Sequence, residues 1–166
     1  MTLSSGNIGL LGSDDVRAFE ELLTGFVTDT RAATVLLVDR AGRMLASAGD
    51  VGELDGTTFA SLAAAGFSAS SQLAVLLGED EFSSLYHHGL NRSMFLADVA
   101  GTAVLAVLFD GRTTLGMVRI RSKLLVPALA QRFARLAADG PSGQVTHMAA
   151  EWAEEAESEI DRLFNG

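Results

Sequence analysis

One stretch of the chain, Ala103–Phe109, is apolar at every position and is the longest such run in the sequence. It is far shorter than the ~20 residues that a helix needs to cross a bilayer. A short apolar run bounded by turn residues is typical of a strand that is buried on both faces. We therefore predict that Thr102–Phe109 is the central strand of a sheet.

Four further segments read as strands. Thr34–Val38 and Met44–Ala48 flank the turn Asp39–Gly42 and predict a hairpin. Leu85–Leu90 and Arg92–Val99 come next, and Ala100-Gly101 forms the turn into the central strand. The predicted sheet therefore has five strands.

Three helices are predicted around the sheet. In the first, Ser13 is the N-cap, and the buried stripe comprises Val16, Phe19, Leu22, Leu23, Phe26 and Val27. The second begins at Asp55 or Thr57 and ends near Gly78, a typical C-terminal cap. Leu115–Arg121 alternates like a strand, but a longer helical stripe, Leu115 to Leu136, favours a helix. Pro127 predicts a bend or restart near Leu125. This order indicates an α+β fold, an antiparallel sheet flanked by helices.

The second helix is unusually rich in small residues, from Ser61 to Ser71. Such a surface has little bulk, so another backbone or a flat partner can approach it closely. A helix packed tightly on a crowded sheet would have the same composition. The sequence alone leaves both interpretations open.

Charge is distributed unevenly along the 166 residues, whose formal net charge is −9. Glu151–Asp161 is strongly acidic, whereas Gly111–Ala138 contains bases and no acid. The acidic balance argues against nucleic-acid binding, which requires a basic footprint. We predict four regions: a flexible N-terminus (1–12), one domain (13–138), a linker (139–146) and an acidic amphipathic helix (147–166).

No pattern in the sequence indicates catalysis, a cofactor or a metal. The absence of cysteine excludes disulfides and thiolate sites. Gly111–Gly116 lacks the lysine and spacing of a phosphate-binding loop. His87 and His88 are adjacent, and neighbours in a strand point to opposite faces, so a surface or dimer-contact role is favoured over a shared metal ion.

Several motifs resemble the Roadblock/dynein light-chain family. They are Val35–Asp39 with Gly42, Ser47–Gly49, and Leu76–Glu79 with Phe82, His87 and Gly89. Leu108–Arg121 and Ser158–Phe164 are similar to the MglB-type members of bacteria. The resemblance covers residues 13–138 and the C-terminal segment, which is nearly the whole chain.

The resemblance implies a homodimer whose edge strands pair across a two-fold axis into one continuous sheet. Pairing would protect an otherwise exposed edge. The corresponding edge strand here comprises Leu85, Tyr86, His87, His88, Gly89 and Leu90. The second helices of the two copies would then lie side by side as a platform.

The resemblance further implies a partner, a Ras-like small GTPase of the MglA type, bound by two protomers. Proteins of this type act without an active site and without an arginine finger, by repositioning the switch regions of the GTPase. On the platform, the outward small-residue face is predicted to bind it through Ser61, Ala64, Ala65, Ser68, Ala69 and Gln72.

The C-terminal helix is predicted to bind the same GTPase away from the platform and to promote nucleotide exchange. Its docking face comprises Trp152, Ala156, Ile160, Leu163 and Phe164. The alternative for this helix is that it folds back on its own domain. We expect a cytoplasmic protein, enriched at a cell pole, that regulates polarity or motility. The alternative function is a Roadblock scaffold that tethers partners without changing GTPase turnover.

Overall fold

The computed structural model describes residues 11–139, which contain three helices and five strands. In chain order they are α1 (Ser13–Thr30), β1 (Thr34–Asp39), β2 (Met44–Gly49), α2 (Gly56–Leu76), β3 (Ser84–His87), β4 (Ser93–Val99), β5 (Ala103–Phe109) and α3 (Leu115–Ala138). The strands form one antiparallel sheet in the order β2-β1-β5-β4-β3. The predicted fold class is confirmed, while the domain boundaries stay predictions.

The central strand of this sheet is β5, as the apolar run predicts. It pairs with β1 on one side and with β4 on the other. All of its residues are buried except Leu108, which is half-buried. Every residue of β1 is also buried. Two neighbouring strands that are covered on both faces require a layer of helices on each side.

One face of the sheet is covered by α2. Its inner residues join Leu36 and Val38 of β1, Leu96 of β4, and Val104 and Ala106 of β5 in one buried cluster. These strand positions alternate, as one face of a sheet requires. The residues between them point to the opposite face.

The opposite face is covered by α1 and α3, which run antiparallel to each other. Two ion pairs join them: Asp15 with Arg132 and Asp29 with Arg121, each with a nitrogen–oxygen distance of 3.5 Å. The buried side chains of the pair are Phe19, Leu23, Phe26, Val118, Leu125 and Leu129. The predicted stripe of α1 is confirmed as buried at Phe19, Leu23 and Phe26, whereas Val16, Leu22 and Val27 are half-buried.

The N-terminus of α1 differs from the prediction by one residue. Ser13 is the first helical residue, and Gly12, in an extended conformation, is the N-cap. Glycine has no side chain that could cap the helix, but the Asp15 carboxylate accepts a hydrogen bond from the Gly12 amide at 3.2 Å. The acidic first turn therefore supplies the polar contact that Ser13 was expected to supply.

The turn between β4 and β5 contains Ala100 and Gly101, as predicted, and also Thr102, whose amide donates a hydrogen bond to the Val99 carbonyl at 2.9 Å. Ala100 and Gly101 both have positive φ angles, 50° and 68°. Turns of this kind match the twist of paired antiparallel strands. The Asp98 carboxylate also accepts a hydrogen bond from the Gly101 amide at 2.9 Å.

The predicted restart of α3 near Leu125 is wrong. The helix runs continuously from Leu115 to Ala138 with Pro127 inside it. Pro127 is exposed, as is Lys123 four residues earlier, whose carbonyl loses its usual amide partner. Because this carbonyl is on the solvent side, water can satisfy it without breaking the helix.

By its internal contacts the chain divides into two units, Met1–Arg132 and Phe133–Gly166. The described part of the second unit is the last turns of α3. There the Asp139 amide donates a hydrogen bond to the Arg135 carbonyl at 2.9 Å.

Candidate functional site

The edge strand β3 is shorter than the sequence predicts. It spans Ser84–His87 and pairs with β4, so its other side is an open edge of the sheet. Its predicted position at the edge is confirmed, but the inclusion of His88, Gly89 and Leu90 is wrong. A side chain at Gly89 would place its Cβ 2.1 Å from the Arg92 carbonyl oxygen, because the chain turns tightly there towards β4.

The two adjacent histidines are both exposed. Nδ1 of His88 lies 2.9 Å from the Tyr86 hydroxyl and 3.3 Å from the Ser93 hydroxyl. The Tyr86 ring in turn stacks on Phe109, with 6.3 Å between ring centroids. These contacts anchor the turn that follows the edge strand. Within residues 11–139, no group of three or more His, Asp or Glu side chains is placed to hold a metal ion.

Both ends of α2 are well capped, which fixes its position over the sheet. At the N-terminus the Asp55 carboxylate accepts hydrogen bonds from the Thr58 hydroxyl at 2.6 Å and the Thr58 amide at 3.2 Å. The bond from the hydroxyl, followed by that from the amide, lowers the pKa of Asp55 below its ordinary value. At the C-terminus the amides of Gly78 and Glu79 donate to the carbonyls of Val75 and Ala74, and Gly78 has a φ of 78°.

Two contacts fix the position of α2 on the sheet. Gly42, at the turn between β1 and β2, approaches so closely that a Cβ there would lie 2.8 Å from the Cα of Ser61. On the inner face, the Arg40 guanidinium lies 5.2 Å from the ring centroid of Phe67. Arg40 also forms an ion pair with Asp98, so it ties α2 to the β4–β5 turn.

The inner face of α2 comprises Ala60, Ala63, Ala64, Phe67 and Ala74, all buried. The prediction that Ala64 faces outward is therefore wrong: it is 6% exposed and belongs to the core cluster. Ala64 lies one helical turn from Ala60 and Phe67, and it shares their side of the helix. The small size of this residue serves close packing on the sheet.

The outer face of α2 consists of two adjacent strips. The small strip, on the side nearer the β1–β2 turn, contains the exposed residues Ser61, Ala65, Ser68 and Gln72. The leucine strip lies beside it and contains the exposed residues Leu62, Gly66, Ala69, Leu73 and Leu76. The structure thus places five of the six predicted platform residues on the outer face, with Ala69 in the leucine strip. Their role in binding stays a prediction.

The leucine strip was not predicted as a surface. Leu62, Leu73 and Leu76 are 66%, 60% and 82% exposed, which is unusual for three leucines on one side of a helix. A signal was present in the sequence, because no charged residue occurs between Gly56 and Gly78. A helix that is apolar on all sides requires a cover on its outer face as well as its inner face.

One side of α2 lies against the β1–β2 turn, where the Ser61 hydroxyl donates a hydrogen bond to the Gly42 carbonyl. On the inner face, the Phe67 ring lies 5.0 Å from that of Phe82, which precedes β3. Towards β3, the sheet residues Leu85, Met94 and Leu108 pack against the core cluster and are only partly buried. Partly exposed apolar side chains therefore lie on the α2 face of the sheet near its open edge.

By length and hydropathy alone, α2 is the helix within residues 11–139 that could cross a membrane. Its packing on the sheet accounts for the apolar inner side. The other predicted contact residues, Trp152, Ala156, Ile160, Leu163 and Phe164, lie outside the described residues, as do nearly all of the predicted linker and of the predicted N-terminal region.

The chain belongs to the Roadblock/LC7 domain family, whose model matches residues 18–109. It is similar to the solved structure of Myxococcus xanthus MglB, with 35% identity over 76% of this chain and 96% of that one and a TM-score of 0.71. An MglB with a tetrameric arrangement matches with 29% identity over 76% and 95% of the two chains and a TM-score of 0.71. The gliding protein MglB of Thermus thermophilus matches with 30% identity over 74% and 93% and a TM-score of 0.68.

Proposed function

We propose that this protein is an MglB-like activator of a Ras-like small GTPase of the MglA type. The observation that carries the proposal is the uncharged outer face of α2, in a chain that matches nearly the full length of solved MglB structures.

The dimer uses the leucine strip and the open edge of β3. Antiparallel pairing of two β3 strands satisfies the open backbone groups of both edges and makes one continuous sheet. It also brings together two leucine strips and the partly buried residues Leu85, Met94 and Leu108. Burial of this much apolar surface is the main favourable term in association.

The platform is formed by the small strips that remain exposed when the leucine strips are covered. Ser61, Ala65, Ser68 and Gln72 of both copies lie on the same outer side, and their short side chains allow the switch segments of a GTPase to approach closely. Ala69 lies next to them at the boundary of the leucine strip.

The mode of action is the one that the resemblance to MglB-type proteins implies. Many activators insert an arginine at the transition state, and the uncharged α2 is consistent with a platform that does not. Stimulation then comes from a conformational shift in the GTPase. The platform binds the hydrolysis-competent switch arrangement more tightly than the others and raises its population.

The acidic C-terminal segment is a second contact in this proposal. Its apolar residues Trp152, Ala156, Ile160, Leu163 and Phe164 bind the GTPase away from the platform and promote nucleotide exchange. In the cell, the protein acts in the cytoplasm and at a cell pole, and it regulates polarity or motility through its GTPase.

The test is single-turnover GTP hydrolysis by an MglA-type GTPase from the same organism, with and without this protein. We expect stimulation that Ser68→Arg reduces by at least tenfold, because a bulky charge on the small strip prevents close approach. Thr24→Arg, an exposed position on α1, is the matched control and should leave stimulation unchanged. A complex with the GTP-bound form that leaves turnover unaltered would favour the scaffold function instead.

Deletion of residues 147–166 tests the second contact. The described domain contains the complete sheet and both helical layers, so the truncated chain should still dimerise and stimulate hydrolysis. Nucleotide exchange, followed with a fluorescent guanine nucleotide, should fall to the rate of the GTPase alone. Normal exchange with the truncated protein would remove the exchange role from the C-terminal segment.

A further inference from the structure

A second apolar surface lies on α3, on the opposite face of the sheet from the leucine strip. Met117, Ile120 and Leu124 follow one another at helical spacing and are 42%, 63% and 65% exposed. Pro127 continues the line by one more turn and is also exposed. We call these four residues the α3 strip.

The surroundings of the α3 strip are basic. Arg119 and Lys123 are exposed beside it, and no acidic residue occurs from Gly111 to Ala138. On the α1 side, Arg121 is paired with Asp29. The strip thus combines apolar side chains with a positive border, which is complementary to an acidic amphipathic helix.

A groove between α1 and α3 adjoins the strip. It has a volume of about 290 Å³, and Leu22, Gly25, Leu124 and Ala128 line it together with Glu21 and Asp29. A Cβ added at Gly25 would meet nothing within 4 Å, so the groove is open at this point. It offers a place for one bulky apolar side chain from a helix that lies along α3.

Two α3 strips are poorly matched to each other, because Arg119 and Lys123 of the two copies would face like charges. The sequence itself predicts the complementary element. Residues 147–166 place six acids around an apolar face that contains Trp152, Ile160 and Phe164. Only one basic residue, Arg162, accompanies those acids.

We propose that the α3 strip binds the acidic C-terminal segment of a second copy of this protein. Such a contact joins two different surfaces, so it links copies beyond a symmetric dimer. It uses neither the small strip nor the leucine strip, but it uses the apolar residues of the C-terminal segment that bind the GTPase in the proposed function, so one segment makes only one of these two contacts at a time. The inference does not depend on the proposed activation of a GTPase.

The experiment is a titration of a fluorescently labelled peptide that copies residues 147–166 with the full-length protein, followed by fluorescence anisotropy. No GTPase is present. We expect saturable binding that weakens several-fold when the salt concentration rises from about 0.05 M to about 0.5 M. The double substitution Ile120→Ser/Leu124→Ser should weaken binding by at least about tenfold, since both residues lose their apolar contact area.

Two controls make the result specific. Met44→Ser/Val51→Ser alters two exposed apolar residues, 44% and 41% exposed, away from α3, and should bind the peptide normally. A peptide with Ile160→Ser/Phe164→Ser keeps its charge and should bind weakly. Absence of binding to the wild-type protein overturns the proposal. Equal binding by the α3 variant, or by the altered peptide, overturns it as well.

Discussion

The outer surfaces of the two helical layers differ in charge. On one face of the sheet, α1 and α3 carry charged side chains outward, and the ion pairs Asp15–Arg132 and Asp29–Arg121 join them. On the other face, α2 has no charged residue and exposes three leucines. Both layers bury an apolar inner side equally well, so packing on the sheet does not explain the difference.

The difference indicates which of the two outer surfaces is suited to contact with another protein molecule. A helix that stays in water normally carries charged or polar side chains on its outer side, as α1 does. The outer side of α2 exposes leucines instead, and the sheet residues Leu85, Met94 and Leu108 near the open edge are only partly buried. This helix is therefore the layer on which assembly and partner binding depend in the proposed function, whereas α3 combines an apolar strip with charge.

The largest expected effect is on the free energy of unfolding. It tests whether the buried inner sides of the two helical layers contribute similarly to stability. Phe67→Ala removes a ring that contacts Phe82 and Arg40, and it should lower the free energy of unfolding by about 3–5 kcal/mol. Leu23→Ala in α1 should cost about 2–5 kcal/mol. Urea denaturation measures both. Ser68→Ala, next to Phe67 but exposed, should change stability by less than about 0.5 kcal/mol, and a large loss there would contradict the assignment of faces.

The next effect concerns the outer sides. Leu73→Glu places a charge in the leucine strip of both copies, and we expect the dimer dissociation constant to rise by at least about tenfold, since a charge would be buried in an apolar contact. Ile120→Glu, with 63% exposure against 60% for Leu73, is the matched control on α3. Sedimentation velocity at low protein concentration should show monomer for the first and dimer for the second. An intact Leu73→Glu dimer would place the interface elsewhere.

A smaller effect uses two glycines, one in each layer. A Cβ at Gly25 of α1 or at Gly66 of α2 would meet nothing within 4 Å in one copy of the chain. Alanine at either position should raise helix stability by about 1 kcal/mol. Only Gly66→Ala should weaken the dimer, because Gly66 lies in the leucine strip. If sedimentation finds the same dimer affinity for both variants, two α2 helices do not approach each other at Gly66.

The smallest effect concerns the cap that begins α2. The hydrogen bond from the Thr58 hydroxyl, with that from the amide, lowers the pKa of Asp55 in the folded state. The stability that this carboxylate adds is therefore fully present above its unfolded pKa, about 3.9, and is lost as the pH falls through the lower folded pKa. The difference in urea midpoint between the wild type and Asp55→Ala should shrink on acidification from pH ~6 to pH ~3. A difference that does not change with pH would mean that the charge of Asp55 plays no part in capping.

Most of the fold could be predicted because its signals are local. The apolar run of β5, the turn at Ala100-Gly101 and the cap at Asp55 each depend on residues close together in the chain. The errors were also local in origin. Pro127 predicted a break that exposure to water made unnecessary, and the strand at Leu85 was extended past His87 into a tight turn.

The candidate site was predictable only in part. Small residues identified the correct helix, but they did not show which side faces the sheet. Ala64 and Ala65 are adjacent alanines, yet Ala64 is buried and Ala65 is exposed. Leu62, Leu73 and Leu76 are evident in the sequence of the helix. Their spacing does not predict that the sheet leaves all three exposed.

The sequence by itself determined the order of the elements, the central strand and the charge-free character of α2, because periodicity and composition act along the chain. Only the tertiary structure decided which side of α2 faces outward and where the edge strand ends. The first of these depends on where the helix crosses the sheet. That position is set by contacts between distant residues, such as Gly42 with Ser61 and Arg40 with Phe67.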